Sequence, residues 1–204
     1  GNRQALFDRT LAKRLQPAIA ARSGIEAACY AARQLTGPRR VVEGQAGLFA
    51  LYGSDPAGIP LAETFGTPPD AWEVERLSFK RYACCGASHP LLLATIALAD
   101  EHDLHLDDVV RAEIFGVSNP FVGVPWNPAE PTQAQAQFCA PYQVAAAIRH
   151  RRFGPAEVEP GRIAADREVS EAATRVEVVA AGAFPGDQAI RVTTRDGRVL
   201  SAGR

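Results

Sequence analysis

The chain has 204 residues, of which 47% are hydrophobic and 22% are charged, and its formal net charge is -1. This composition is typical of a soluble globular protein with a sizeable core in one domain or two. It lacks the basic excess of nucleic-acid-binding proteins and any apolar run long enough to cross a bilayer. We therefore expect a cytoplasmic protein that has no nucleic-acid or membrane partner.

The N-terminal part is predicted to be helical. Apolar residues recur at three- and four-residue spacing between Leu11 and Leu35, which indicates an amphipathic helix. Small residues dominate this stripe, so we expect it to pack closely against another helix. Prolines and glycines are frequent from 54 to 69, which predicts a loop and a domain border. The predicted divisions are a partial helical domain at 1–61, a linker at 62–70 and an α+β domain at 71–204.

The middle of the chain is predicted to hold a strand, a helix and a second strand. Leu77–Phe79 is a short strand candidate. Ser88 is a suitable N-cap, and Pro90 fits the first turn of a helix that runs to about Glu101. The second strand has the period-two pattern of a half-buried strand, with apolar residues at Val110, Ala112 and Ile114.

The C-terminal part is predicted to hold a long helix followed by several strands. The helix spans Thr132 to His150. The strands are marked by Val176 with Val178 and by Ile190 with Val192, and Asp196-Gly197 is a hairpin-turn signal. This order of elements predicts an α+β domain in which one sheet is covered by helices.

The four cysteines do not have the spacing of a zinc or iron–sulfur site. They are not accompanied by a matching pair of histidines, so we predict no metal site. The sequence also lacks a phosphate-binding glycine loop and a G-x-S-x-G nucleophile motif. Composition and periodicity alone therefore indicate an α+β domain of undefined activity.

Three stretches of the chain carry a resemblance to a known family. They are AKRLQPA at 12–18, FKRYACCGASHP at 79–90 and AQFCAPYQVAAA at 136–147. In this order and at these separations they resemble the MmgE/PrpD family, which includes 2-methylcitrate dehydratase, cis-aconitate decarboxylase and iminodisuccinate epimerase. The first residue is glycine rather than methionine, and the last residues indicate the start of a strand. We therefore expect a piece of a longer family member.

The resemblance implies a fold and an activity. Family members have an all-helical domain followed by a smaller α+β lid, with the active site in the cleft between them. The implied activity is that of a lyase or isomerase, with a small di- or tricarboxylic acid as substrate, no cofactor and a homodimeric state. The Asp and His usually assigned to proton transfer would precede this chain, so we expect residues 1–204 alone to be inactive. The alternative is a non-catalytic module for carboxylate binding or assembly.

The resemblance also assigns site residues. Lys13 and Lys80 stand where the family places substrate-binding lysines, and an ammonium group suits one carboxylate each. A lysine beside the reacting centre would stabilise the negative charge of a transition state, so both are also catalytic candidates. The alternative is that both are solvated surface lysines.

Three further candidates lie in the second and third stretches. The hydroxyl of Tyr142 could donate a hydrogen bond to substrate or relay a proton, or it could be satisfied in the core. His89 stands at a helix start, where the helix dipole lowers the pKa of an imidazole, and it either orients a carboxylate or caps the turn. Cys85 is a substrate-binding candidate or a buried, inert thiol. Departures from the family at Gln16, Ala18, Ala83 and Cys139 leave the reaction open.

Overall fold

The computed structural model describes residues 4–53, 73–117, 119–179 and 189–203. They form helices and a mixed four-stranded sheet, which confirms the predicted α+β class. The chain divides into two compact units, one of residues 1–15 with 80–204 and one of residues 16–79. The predicted linker at 62–70 lies outside the described residues. The predicted domain boundaries therefore stay a prediction.

The unit of residues 16–79 contains short helical segments and most of one long helix. This long helix is α2 (Ala12–Ala32), which follows a single turn, α1 (Gln4–Phe7), of the other unit. A further turn, α3, spans Leu48–Leu51, and Glu73–Arg76 forms a 3-10 turn. The strand predicted at Leu77–Phe79 is wrong, because a strand needs hydrogen bonds to a neighbour and none of the described strands pairs with it.

Helix α2 buries none of its side chains. Ile19 and Ile25 are 60% and 68% exposed, although both are large and apolar. The helix itself is therefore confirmed, while its close packing against another helix stays a prediction. None of the helices in the described part of the chain is long and apolar enough to span a membrane.

The sheet belongs to the unit that contains residues 80–204. Its strands are β1 (Val109–Phe115), β2 (Val176–Val178), β3 (Ala189–Thr194) and β4 (Val199–Ala202), in the order β2-β1-β3-β4. Strands β1 and β2 are parallel and the other pairs are antiparallel. The hairpin between β3 and β4 turns at Asp196-Gly197 as predicted, and Gly197 has a φ of 84°, which glycine adopts without strain.

Strand β1 differs from its predicted alternation at its first residues. The pairing register with β3 shifts between Val109 and Arg111, so Val109 is buried and Val110 is 51% exposed. A bulge of this kind adds one residue to one strand and reverses the side that the preceding residues face. Ala112 and Ile114 are fully buried, as predicted.

Five helices pack in the same unit as the sheet, and two of them contact its strands. They are α4 (His89–Glu101), α5 (Gln133–Phe138), α6 (Ala140–His150), α7 (Pro160–Ala165) and α8 (Arg167–Ala173). Helix α4 contacts β3 and β4, while α6 contacts β2, α4 and α8. Leu91 and Leu92 of α4 form one core with Ile114, Val144 and Val192. The predicted helix after Ser88 is confirmed, but the capping role of Ser88 is wrong, because its hydroxyl is buried without a hydrogen-bond partner among the described residues.

The helix predicted from Thr132 to His150 is broken in two at Cys139. Pro141 has no N–H group, so it cannot donate to the carbonyl of Gln137 in the preceding turn. The chain leaves the helical conformation at Cys139 and starts α6 with Pro141 in its first turn. The carbonyl of Gln137 instead accepts a hydrogen bond from the backbone N–H of Cys85 at 3.0 Å.

Candidate functional site

A cationic pocket of about 370 Å³ lies within the unit of residues 1–15 and 80–204. Its walls come from residues 13–14, 80–84 and 137–138, together with Pro155. Two Lys–Arg pairs, one from each of the first two segments, supply four cationic side chains. None of the described residues that line the pocket carries a carboxylate. The pocket therefore has the charge and size to accept a small anion.

Lys13 reaches the pocket from the first turn of α2. Its Nζ lies 5.1 Å from the centroid of the Phe138 ring, which is within range of a cation–π interaction. The neighbouring Arg14 donates from Nη2 to Oε1 of Gln137 at 2.6 Å. The aromatic ring and the amide therefore hold both members of this pair against the end of α5 without neutralising either charge.

Lys80 reaches the pocket from the segment that precedes α4. Its Nζ donates to the backbone carbonyl of Cys84 at 2.9 Å, which fixes the side chain and leaves two of the three ammonium protons for other acceptors. The neighbouring Arg81 places its guanidinium carbon 5.7 Å from the ring centroid of Tyr82. A hydrogen bond to a carbonyl and a stacked ring orient these two cations and leave their charges in place.

Lys13 and Lys80 are the only two lysines in the sequence, whose 22 basic residues are otherwise arginines. The chain therefore uses arginine for every other positive charge, and both of its ammonium groups lie at one pocket. An ammonium is a compact charge with rotatable donors, whereas a guanidinium is a planar fork. Both residues are exposed, so the pocket presents its two ammonium groups to the solvent.

His89 lies behind the pocket wall formed by Tyr82. The two rings meet edge to face with centroids 5.3 Å apart, and Nε2 of His89 is buried without a hydrogen-bond partner among the described residues. Burial lowers the pKa of His89, the charge of Lys80 lowers it further, and a hydrogen bond with the Tyr82 backbone opposes both. The lowered pKa was expected from the helix dipole, but burial and Lys80 are its causes here.

Cys85 is half-buried and does not line the pocket, whereas the neighbouring Cys84 does. The backbone N–H of Cys85 donates to the carbonyl of Gln137, so this residue ties the second stretch to α5. Burial raises the pKa of the Cys84 thiol to about 12, with a further contribution from Cys85 and an opposing one from Lys80. Cys84 is therefore a neutral thiol at neutral pH.

Tyr142 is buried in the core and does not line the pocket. Its hydroxyl donates to the backbone carbonyl of Glu157 at 3.0 Å, and its ring stacks on Trp126 with centroids 4.3 Å apart. Burial raises its pKa, as do the nearby charges of Asp166 and Glu157. The geometry favours the packing role that the sequence left open.

The structure thus brings Lys13 and Lys80 to one pocket, places His89 and Cys85 beside it, and keeps Tyr142 apart. Sequence reasoning missed Arg14, Arg81 and Gln137. The sequence did contain signals for these residues. Arg14 and Arg81 each follow a lysine, and Gln137 directly precedes Phe138. In the described part of the chain, no three His, Cys, Asp or Glu side chains converge as metal ligands would.

A buried carboxylate supports the turn that brings Pro155 to the pocket. Glu157 accepts hydrogen bonds from the N–H of Gly154 at 2.7 Å and from Nε of Arg152 at 3.0 Å. Burial alone would raise the pKa of Glu157, but these two donors together hold it below its ordinary value of 4.5. A carboxyl whose pKa is lowered on folding stabilises the fold above that ordinary value, and its contribution is lost as the pH falls through the folded pKa.

We expect Glu157→Gln to lower the free energy of unfolding at neutral pH by about 1–3 kcal/mol, because its amide group cannot accept both hydrogen bonds. The difference from the wild type should shrink as the pH falls below 4.5 and through the lowered pKa of the folded protein, where the wild-type carboxyl also protonates. Urea denaturation over a pH series measures both effects. Glu159→Gln, at an exposed position nearby, is the control. Parallel pH profiles for wild type and Glu157→Gln would contradict this account.

Comparison with known proteins identifies the part of this unit that follows the four cations of the pocket, which all precede residue 82. The model of the MmgE/PrpD C-terminal domain matches residues 82–204, which include α4, the whole sheet and the residues of α5 that face Lys13 and Arg14. None of the curated proteins matches the chain.

Proposed function

The chain belongs to the MmgE/PrpD family, and on this premise we propose that the protein is a lyase or isomerase that acts on a small di- or tricarboxylic acid. One observation carries the proposal: the only two lysines of the sequence line the same pocket, which also receives two arginines. A pocket with several cations is the complement of a substrate with several carboxylates.

The physical chemistry of the substrate supports the same assignment. A carboxylate that leaves water loses several kcal/mol of hydration unless cations and hydrogen-bond donors replace the solvent. Lys13 and Lys80 would each pair with one carboxylate, while Arg14 and Arg81 raise the positive potential around them. The apolar walls formed by Phe138 and Tyr82 lower the local dielectric constant and strengthen each of these pairs.

The proposed catalytic role of the lysines follows from the charge that develops during reaction. Dehydration, decarboxylation and epimerisation next to a carboxylate all increase negative charge on that group. A fixed ammonium stabilises this charge more in the transition state than in the ground state, which is the requirement for catalysis.

Two of the departures from the family have different places in the structure. Ala83 lines the pocket, whereas the Cys139 thiol is buried and donates to the carbonyl of Val124.

Acylation of lysine provides a direct test, because the sequence has two side-chain amines and both line the pocket. We expect citrate and tricarballylate at ten times their dissociation constants to slow the acetylation of Lys13 and Lys80 about tenfold. Acetate at the same ionic strength is the control and should protect neither. Mass spectrometry of the two peptides measures each rate. Equal rates with and without tricarboxylate would refute the proposed site.

Turnover is tested with protein expressed from its complete gene. Incubation with 2-methylcitrate, cis-aconitate or iminodisuccinate, followed by NMR, should convert at least one of them. Protection of both lysines without any turnover would instead support the non-catalytic carboxylate-binding module. The homodimer and the cytoplasmic location stay predictions.

A further inference from the structure

We propose that Gln137 is a positioning residue that sets the separation between the ammonium groups of Lys13 and Lys80. It is the point at which the two lysine-bearing segments meet α5. Its effect on ligand selection rests on the proposed function, whereas its effect on the distance between the lysines does not.

The side chain of Gln137 holds the first segment. Its Oε1 accepts the hydrogen bond from Arg14 at 2.6 Å, and the next residue, Phe138, carries the ammonium of Lys13 on its ring at 5.1 Å. The two consecutive residues of α5 therefore contact the two consecutive residues of the Lys–Arg pair. If the hydrogen bond were removed, only the cation–π contact with Phe138 would still hold this turn of α2 in place.

The backbone of Gln137 holds the second segment. Its carbonyl accepts from the N–H of Cys85 at 3.0 Å, and the carbonyl of the preceding Cys84 accepts from Nζ of Lys80 at 2.9 Å. The carbonyl is available because Pro141, four residues later, has no N–H to complete the helix. The sequence position of one proline thus gives Gln137 a second partner.

The chemistry of the amide suits this role. A hydrogen bond to a charged donor contributes more than one between neutral groups, so the amide oxygen can orient the guanidinium of Arg14. Because the amide is neutral, Arg14 keeps its full charge in the pocket. A carboxylate at this position would hold Arg14 equally well and would also neutralise it. Glutamine therefore combines positioning with retention of the positive potential.

Two variants of Gln137 separate these effects, and a third variant on the same helix serves as the control. Gln137→Ala removes the contact with Arg14 and keeps the backbone contact with Cys85. Gln137→Glu keeps an acceptor for Arg14 and adds a negative charge. The matched control is Gln133→Ala, because Gln133 is also half-buried on α5 and donates one side-chain hydrogen bond, to the carbonyl of Val158 at 2.9 Å.

The first measurement needs no ligand. Bis-ester reagents with spacers of graded length cross-link Lys13 to Lys80, and mass spectrometry gives the yield for each spacer. We expect the wild type, Gln133→Ala and Gln137→Glu to share one optimal spacer. In Gln137→Ala the yield at that spacer should fall about fivefold or more and the optimum should broaden, since a hydrogen bond to a charged group is lost. An unchanged profile in Gln137→Ala would overturn the inference.

The second measurement uses the dissociation constants of succinate, glutarate and adipate. We expect the dissociation constants of the wild type to differ between the three lengths. In Gln137→Ala the ratio between the weakest and the tightest dissociation constant should fall about fivefold. Gln137→Glu should keep the preferred length and bind every dicarboxylate more weakly. Uniform weakening in both variants would indicate a merely structural role and overturn the inference. If the wild type binds neither these dicarboxylates nor citrate, the proposed function fails, and the cross-linking profile still decides the role of Gln137.

Discussion

Lys80→Ala will lower the affinity of the protein for a tricarboxylate by about 10- to 100-fold, and Lys13→Ala will have a similar effect. Each substitution removes a charge-assisted hydrogen bond, which contributes roughly 1.5–3 kcal/mol. It also leaves one carboxylate of the ligand without its ammonium partner. Isothermal titration calorimetry with citrate at low and at physiological ionic strength measures the loss.

The control for these variants removes one positive charge elsewhere. Arg198→Ala is suitable, because Arg198 is half-exposed in the β3–β4 hairpin, pairs with Asp196 and does not line the pocket. It should leave the affinity within about twofold of the wild type, since an exposed charge that does not contact the ligand is screened by solvent and salt. If Arg198→Ala weakens binding as much as Lys80→Ala, the effect is one of net charge and the site assignment fails.

Tyr142→Ala will lower the free energy of unfolding by about 3–5 kcal/mol, the range for removal of a fully buried aromatic side chain. The side chain is 2% exposed and packs between Trp126 and Phe153, so its loss leaves a cavity that the surrounding helices cannot fill. Tyr142→Phe keeps the ring and loses only the hydrogen bond to Glu157, which contributes about 1 kcal/mol. Urea denaturation measures both values.

The same pair of variants decides between the two hypotheses for this tyrosine. If Tyr142 is a core residue, Tyr142→Phe will keep the affinity for tricarboxylates and any turnover at wild-type levels. If its hydroxyl acts on substrate, Tyr142→Phe will lose turnover by at least tenfold while remaining folded. Tyr30→Ala is the stability control, because Tyr30 is 51% exposed on α2 and should change the free energy of unfolding by less than about 0.5 kcal/mol.

Local signals predicted the elements whose conformation depends on a few neighbouring residues. Pro90 marked the first turn of α4, and Asp196-Gly197 marked the turn between β3 and β4. Both positions are decided by backbone preferences that act within one turn. The break between α5 and α6 was missed, although Pro141 carried its signal, because the apolar and small residues on either side match one continuous helix.

Other features depended on partners that no local pattern specifies. The bulge that turns Val110 outwards arises from the pairing of β1 with β3, and Leu77–Phe79 lacks a partner strand among the described residues. The burial of Tyr142 depends on Trp126 and Phe153, which lie in other segments of the chain. Hydrogen bonds and packing across long separations decided these cases.

By itself, the sequence determined the α+β class, the family and the two lysines as the cations of interest. Only the tertiary structure decided that 13–14 and 80–84 share one pocket, because their approach depends on the ring of Phe138 and on both oxygens of Gln137. A motif specifies which groups are available, whereas the distance between two groups far apart in the chain is set by the surface against which both segments pack.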